Sequence, residues 1–237
     1  MGLNERTVVI FMSDNGGVST YFKAGLRGGK GSVYEGGVRV PFLVRWPSHF
    51  PAGVKVEAIA QHIDIFPTLC ELIGVPLRSD QKVDGKSLLT LIKNGGGFSP
   101  HEYLFHQWSR VRPNPGKNWA VRDQRYKLVM GGDPSASSNA FLRHAELFDI
   151  KNDEGEKINI ASRHPQIAQR LREEFERWFN RVTSEQNYGR VPIEVGYPDE
   201  NPVEIDLTWG EPAGHHKLVK PTYRHYNRDT IENWSEE

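Results

Sequence analysis

The chain has 237 residues, enough for one large domain or for one and a half small ones. Its 30 Lys and Arg residues balance 30 Asp and Glu residues, so no overall basic field attracts nucleic acid or anionic lipid. A single cysteine, Cys70, excludes an internal disulfide and a thiolate zinc site. No apolar run approaches the length of a membrane span. The composition therefore predicts neither a nucleic-acid partner nor a membrane partner.

The first part of the chain predicts a piece of an α/β domain. Thr7 to Met12 is a continuous apolar, β-branched run, which is typical of a parallel strand covered on both faces. Residues 16–37 contain eight of the 23 glycines and predict a long loop that turns tightly or approaches another group closely. A second strand is predicted at Val38 to Val44. Helices are predicted at Gln61 to Ile73 and at Ser87 to Ile92, each followed by glycine.

The second part predicts a small antiparallel sheet with a helix. Pro165 begins an amphipathic helix that continues to Val182, and its apolar face is expected to pack on the sheet. After Tyr188 the sequence has no periodicity. We therefore expect three regions: the end of an α/β domain at 1–97, the small sheet with its helix at 98–185, and an irregular tail at 186–237. The four predicted strands of the sheet are Tyr103–Trp108, Trp119–Arg122, Tyr126–Met130 and Glu146–Ile150.

Asp14 and Asn15 directly follow the first predicted strand. In open α/β sheets, ligands gather at the carboxyl ends of the strands. Both side chains offer oxygen, which suits Ca²⁺ or Mg²⁺ and disfavours zinc or copper. Asp-Asn-Gly-Gly is also a common turn sequence, so on these residues alone a simple turn remains the alternative.

Lys30 lies in the glycine-rich loop between Gly29 and Gly31. A lysine on such a loop can bring its ammonium group and nearby backbone N–H groups to a phosphate or sulfate. The loop matches neither a P-loop nor a dinucleotide-binding fingerprint, and a solvated lysine is the alternative. Glu35 is expected to brace the loop by binding its amides, and Arg39 to pair inside the fold.

Several other polar residues have candidate roles. Asp64 lies where a helix cap is expected, whereas the role of His62 stays open. His101 and His106 lie beside an aromatic strand that could border a cleft.

Taken together, these segments resemble the middle of a type I sulfatase. Family members carry a strand ending in Asp-Asn-Gly, and then a loop of the form Gly-Lys-Gly-Ser/Thr-x-Tyr-Glu-Gly-Gly-x-Arg-x-Pro. Residues 29–41 here read Gly-Lys-Gly-Ser-Val-Tyr-Glu-Gly-Gly-Val-Arg-Val-Pro. The segments Ile63–Leu69 and Glu146–Ile160 are also similar to recurrent family segments. The resemblance extends from the first residues to about Val182.

The resemblance implies both a fold and a set of roles. The fold is an alkaline-phosphatase-like α/β domain with a mixed sheet, present here in part, plus a small C-terminal four-stranded antiparallel sheet covered by a helix. Asp14 and Asn15 match the family's calcium ligands, with Mg²⁺ as the other possible ion. Lys30 matches the catalytic lysine that holds the sulfate oxygens and offsets their charge.

The resemblance also implies parts that this sequence does not contain. Family catalysis uses a formylglycine made within Cys/Ser-x-Pro/Ala-x-Arg, a motif absent here. We therefore expect the chain to start within the catalytic domain and to show no turnover alone. Arg27, His106 and Arg110 are expected to contact the substrate, a sulfated small molecule or sulfated glycan. The family also suggests a periplasmic or secreted location.

Two alternatives remain open at the level of sequence. A phosphodiesterase or phosphonate hydrolase of the same superfamily would use similar ligands, and a Thr or unmodified Ser nucleophile upstream would favour it. A non-catalytic glycan-binding module would use Trp46, Trp108 and Trp119 as stacking surfaces, and glycan binding without metal would favour it.

Overall fold

The computed structural model describes residues 2–18, 23–97, 99–109, 113–131, 145–184, 193–195 and 203–205. Arg110, one of the expected substrate contacts, lies outside these residues. The chain divides into two units, residues 1–191 and residues 192–237. The three-region organisation expected from the sequence stays a prediction.

The first strand pairs with the second in an antiparallel, two-stranded sheet. Strand β1 spans Val9–Met12 and strand β2 spans Phe42–Arg45, with Val9 opposite Arg45. The prediction of a parallel strand covered on both faces is therefore wrong for the described residues. Val9 and Phe11 are 49% and 60% exposed, because the described elements cover only the opposite face. An apolar run indicates a strand, but whether its neighbour runs parallel or antiparallel depends on residues elsewhere in the chain.

Helices pack against the covered face of this sheet. A 3-10 turn at His62–Asp64 leads into helix α2, Ile65–Leu72, where one helix was predicted. Helix α3 spans Leu89–Asn94 and ends at Gly95, whose φ of +66° is in the left-handed region. One short element was missed: the residues before β2 form a helical turn, α1, at Glu35–Val38, which delays the strand. Another 3-10 turn precedes β1 at Leu3–Arg6.

The predicted four-stranded antiparallel sheet is confirmed. Its strands are β3 (Leu104–Gln107), β4 (Trp119–Arg122), β5 (Tyr126–Met130) and β6 (Ala145–Asp149). Their order in the sheet is β3-β4-β5-β6, so each strand pairs with the next one along the chain. Helix α4 spans Pro165–Ser184 and packs on one face, where Trp119 stacks on Phe175 with ring centroids 3.9 Å apart.

The other face of this sheet carries the glycine-rich loop. Val33 and Tyr34 of the loop pack there against Ala120, Val129 and Phe148. Side chains alternate between the faces of a strand, so successive positions face α4 and the loop in turn. The sheet therefore lies between helix α4 on one face and the glycine-rich loop on the other.

The second unit contains a short hairpin. Strand β7, Ile193–Val195, pairs antiparallel with strand β8, Val203–Ile205. The sequence analysis found no regular structure here, because three-residue strands are too short to give a periodic pattern. Among the described residues, no helix combines the length and the apolar character needed to cross a bilayer.

Candidate functional site

Two backbone hydrogen bonds join the turn after β1 to the glycine-rich loop. The Gly16 N–H donates to the Gly37 carbonyl at 2.9 Å, and the Lys30 N–H donates to the Gly17 carbonyl at 3.1 Å. The approach is so close that a Cβ on Gly16 would lie 1.8 Å from the Gly36 oxygen. Glycine is required at this contact because no side chain fits between the two backbones. The two sequence motifs are therefore one structural unit.

Asp14 and Asn15 lie at the start of this turn. The Asp14 Oδ1 atom accepts hydrogen bonds from the backbone N–H and from the side-chain Nδ2 of Asn15, both at 2.8 Å. Asp14 is exposed and Asn15 is half-buried. The Asn15 amide therefore presents its nitrogen to Asp14, and a half-turn of the amide would present its oxygen instead.

The donor atoms of these two residues suit Ca²⁺, but their number does not complete a site. Ca²⁺ takes six to eight oxygen ligands, and Asp14 and Asn15 supply few of them. Among the residues that the structure describes, no group of three or more His, Cys, Asp or Glu is placed to hold a metal ion. The calcium assignment, with Mg²⁺ as its alternative, stays a prediction.

His62 reaches the same turn from the other side. Its Nε2 atom lies 2.8 Å from the Ser13 carbonyl oxygen, so this nitrogen is the donor. The Ser13 hydroxyl donates in turn to the Asn15 carbonyl at 2.9 Å. The sequence analysis left His62 open, and no local pattern could have linked residues 49 positions apart.

Lys30 occupies an exposed turn of the loop. The Ser32 N–H donates to the Gly29 carbonyl at 2.9 Å, and the Ser32 hydroxyl accepts from the Gly29 N–H at 3.1 Å. Gly31 has a φ of +82°, which a side chain would strain. Within the described part of the chain, the Lys30 ammonium has no hydrogen-bond or ion-pair partner. The loop backbone is thus fixed while the charge faces solvent.

A buried ion cluster fixes the loop to the sheet. The Lys127 ammonium, fully buried on β5, lies 2.8 Å from Glu35 Oε1 and 2.9 Å from Glu156 Oε1. Arg122 on β4 lies 3.3 Å from Glu35. Burial opposes ionisation of Glu35, but Lys127 and Arg122 prevail and lower the pKa of Glu35. Burial raises the pKa of Glu156 despite Lys127.

The expectation that Glu35 binds loop amides is wrong. Its carboxylate pairs with Lys127 and Arg122, because α1 turns the side chain toward the sheet. The brace runs through the neighbouring backbone instead, since the Glu35 N–H donates to Glu156 Oε2 at 2.7 Å. Arg39 pairs with Glu154 at 3.3 Å, but this pair is exposed on the surface rather than inside the fold as expected.

A second clamp holds the start of the loop. The Arg27 guanidinium donates to both carboxylate oxygens of Glu146 at 2.8 and 3.1 Å. It also lies 4.0 Å from the centre of the Tyr34 ring, whose hydroxyl donates to the same carboxylate. The role of Arg27 that the structure describes is structural, and its contact with substrate stays a prediction.

His106 lies on β3, on the face that carries the loop. It is half-buried, and burial together with the nearby Lys127 lowers its pKa to about 3. The imidazole is therefore neutral at pH 7. A neutral imidazole can donate or accept a hydrogen bond without adding charge. Its expected contact with substrate stays a prediction.

Asp64 takes part in the cap of the 3-10 turn and makes no side-chain capping bond to α2. Its carboxylate accepts from the N–H of Gln61 at 2.7 Å, which makes Gln61 the capping residue and Asp64 its partner in a capping box. The same buried carboxylate accepts from the Lys86 N–H and binds His101 Nε2 at 2.7 Å. His101 is thus committed to the fold.

The three tryptophans considered as stacking surfaces differ in exposure. Trp119 is 2% exposed and stacks on Phe175, so its assignment to a binding surface is wrong. Trp46 stacks on His49 with centroids 3.8 Å apart. Trp108 is 40% exposed and lies beside the Lys30 loop.

Comparisons with known proteins show which family this chain resembles. The sequence model of one family, described as N-sulphoglucosamine sulphohydrolase, C-terminal, matches residues 29–185. Arylsulfatase A of Homo sapiens is 36% identical over 195 residues, which cover 73% of this chain and 38% of that protein. N-acetylgalactosamine-6-O-sulfatase of Bacteroides thetaiotaomicron is 30% identical over 200 residues, which cover 72% and 36%. Steryl-sulfatase of Mus musculus is 40% identical over 199 residues, which cover 73% and 31%.

Solved structures show the same relationship. Ps i-CgsB has a TM-score of 0.61 and 28% identity, over 74% of this chain and 37% of that one. The PsFucS1 sulfatase from Pseudoalteromonas sp. has a TM-score of 0.60, over 85% of this chain and 40% of that one. Its identity is 23%, so this likeness concerns the fold alone. The chain spans about a third of the length of the curated relatives it matches.

Proposed function

The chain belongs to the sulfatase family, and from this premise we propose that it takes part in the hydrolysis of a sulfate ester. It has the family's fold in part: residues of an alkaline-phosphatase-like α/β domain joined to a four-stranded antiparallel sheet with a packed helix. Lys30 is the proposed catalytic residue that binds the sulfate oxygens. Asp14 and Asn15 are the proposed ligands of Ca²⁺.

One observation carries this proposal. The Gly16 and Lys30 amides hydrogen-bond across to Gly37 and Gly17, so the turn bearing the two oxygen side chains docks directly on the loop bearing the lysine. A solvated loop lysine needs no such contact. This contact supports the proposal, because binding of one anion by Lys30 and by an ion at Asp14 and Asn15 requires the loop and the turn to lie together.

The chemistry follows from charge. Cleavage of a sulfate ester develops negative charge on oxygens, and a fixed ammonium group stabilises that charge electrostatically. Ca²⁺, when bound, would add a second positive centre to the same oxygens. The Lys30 ammonium is a compact charge, and its three N–H donors can rotate to follow the sulfate oxygens as they move. The buried ion cluster keeps the loop backbone in place beneath it.

The nucleophile is proposed to come from a formylglycine that none of these residues provides. The sequence contains no Cys/Ser-x-Pro/Ala-x-Arg motif, and its one cysteine lies half-buried on α2. We therefore expect the chain as given to bind sulfate but to leave an aryl sulfate uncleaved. Measurable hydrolysis of 4-nitrophenyl sulfate by the purified chain would refute this part of the proposal.

A direct test is the binding of inorganic sulfate, measured by NMR titration of the ¹⁵N-labelled chain. We expect Lys30→Ala to weaken binding by roughly ten- to a hundredfold, because one charge-assisted hydrogen bond contributes roughly 1.5–3 kcal/mol. Lys93→Ala, at an exposed position on α3, is the matched control and should bind as the wild type does. Equal affinity of wild type and Lys30→Ala would refute the assignment.

The metal is tested in the same titration. Added Ca²⁺ should tighten sulfate binding by the wild type, and Asp14→Asn should remove that gain. Without Ca²⁺ the variant should bind sulfate at least as tightly as the wild type, because it lacks one negative charge. The effect will be weak, since Asp14 and Asn15 supply only part of the ligand set that Ca²⁺ prefers. A gain of equal size in Asp14→Asn would place the ion elsewhere.

The substrate is proposed to be a sulfated small molecule or a sulfated glycan. This rests on relatives whose names include a steryl-sulfatase and an N-acetylgalactosamine-6-O-sulfatase. The alternatives are a phosphodiesterase or phosphonate hydrolase and a non-catalytic glycan-binding module. Dimethyl phosphate serves as the competing probe: tighter binding of dimethyl phosphate than of methyl sulfate would favour the phosphodiesterase alternative.

A further inference from the structure

Trp108 follows β3 directly, at the end of the strand that lies beside the Lys30 loop. Its N–H donates to the Asn118 carbonyl at 2.9 Å, which extends the pairing of β3 with the chain before β4. Trp108 is two positions after His106, so both side chains lie on the same face of the strand. That face carries the glycine-rich loop. Trp108 is therefore held by the sheet while 40% of it remains exposed.

The indole ring lies against the residue next to Lys30. A Cβ added to Gly31 would be 3.5 Å from Cζ2 and 3.6 Å from Cε2 of Trp108, which is van der Waals contact. The absence of a side chain at Gly31 therefore leaves the ring on the loop backbone. Adjacent Cα atoms are about 3.8 Å apart, so the ring packs one residue along the loop backbone from Lys30, whose side chain is also exposed.

An exposed aromatic ring packed on the loop that bears an exposed lysine restricts the kind of ligand that can contact both. Two other tryptophans do not offer this combination: Trp46 stacks on His49, and Trp119 is buried under α4. A tryptophan gives a large apolar surface at little conformational cost. When a second ring stacks on it, water leaves the two ring surfaces that meet. The combination fits a molecule with an anionic group attached directly to a ring.

We infer that Trp108 forms a subsite for the ring of the substrate next to the sulfate group held by Lys30. This inference rests on the proposed function and narrows its substrate class. The preferred substrates are sulfate esters of cyclic alcohols, sugars or phenols, rather than esters of short open-chain alcohols. Trp108 contacts the part of the substrate that does not react, so it determines specificity and adds no charge.

The test compares two sulfate esters of equal charge, phenyl sulfate and methyl sulfate. The ¹⁵N-labelled chain is titrated with each, and the indole N–H resonance of Trp108 reports contact with the ring. The wild type should bind phenyl sulfate roughly tenfold more tightly than methyl sulfate, as stacking and apolar burial together predict. Trp108→Ala should remove this preference by weakening the binding of phenyl sulfate more than that of methyl sulfate.

Two variants and three outcomes make the test decisive. Trp108→Phe should retain most of the preference, and Trp46→Phe should retain all of it. If Lys30-dependent binding of methyl sulfate persists but phenyl sulfate binds no more tightly, the Trp108 subsite is refuted and the proposed function stands. The same holds if Trp108→Ala keeps the preference. If neither ester binds the wild type, the proposed function fails, and the subsite fails with it.

Discussion

Replacing Lys127 with Met tests whether the buried ion cluster holds the glycine-rich loop on the sheet. Met has a similar length and no charge, so the packing of the side-chain stem is largely kept. What is lost is the cation between two buried carboxylates, which lie 2.8 and 2.9 Å from the ammonium and are each 1% exposed. The variant therefore isolates the charge from the volume.

The magnitude follows from what each carboxylate keeps. Removing one partner of a buried ion pair costs about 3–5 kcal/mol, because an uncompensated charge remains buried. Glu35 retains Arg122 at 3.3 Å, and the pKa of Glu156 is already raised by burial, so Glu156 can protonate. Both facts favour the lower end, about 3 kcal/mol. Total stabilities of domains are about 5–15 kcal/mol, so this loss is large.

Urea unfolding measures the free energy of unfolding of the variant, with tryptophan fluorescence as the probe because Trp119 lies in the core against Phe175. Lys127→Met/Glu156→Gln should recover part of the loss, since the orphaned charge is removed as well. The control is Arg125→Met, which breaks an exposed pair with Asp149 and should cost at most about 1 kcal/mol. A loss of unfolding free energy for Lys127→Met no larger than that of the control would refute the stabilising role of the buried ion cluster.

Three further predictions concern the glycine-rich loop and the sheet on which it packs. Gly36→Ala should displace the loop and weaken sulfate binding in the NMR titration, because its Cβ would lie 2.5 Å from the Arg27 carbonyl oxygen; unchanged binding would contradict the packing. His106→Gln should reduce the loss of stability on acidification. The pKa of His106 in the folded state, about 3, is below the ordinary value of 6.5, so the unfolded state binds more protons between these two pH values. The free energy of unfolding therefore falls as the pH falls through this range. Parallel pH profiles of the urea midpoint in wild type and variant would argue against this. Tyr34→Phe should lower the free energy of unfolding by about 1 kcal/mol, because the hydroxyl bonded to Glu146 is lost while Arg27 remains; a larger loss would mean that the hydroxyl organises the whole clamp.

Most of the secondary structure of the first unit could be read from local patterns. The four short strands and the helix from Pro165 were predicted because alternation, turn residues and helical spacing are properties of neighbouring residues. The helical turn at Glu35–Val38 was missed because two of its four residues are glycines, which disfavour helix. It forms because Glu35 is bound by cations on the sheet, and such a tertiary contact outweighs local preference.

The candidate site was likewise predicted only in part from local sequence patterns. Local sequence patterns identify the residue types at the site: a carboxylate and an amide after a strand, and one lysine among glycines. They do not reveal that the turn and the loop meet at Gly16 and Gly36, that Glu35 faces Lys127, or that Trp108 rather than Trp119 is exposed beside the Lys30 loop. The reason is that these contacts join residues distant in the chain. Their energies depend on burial and approach, which no local spacing encodes.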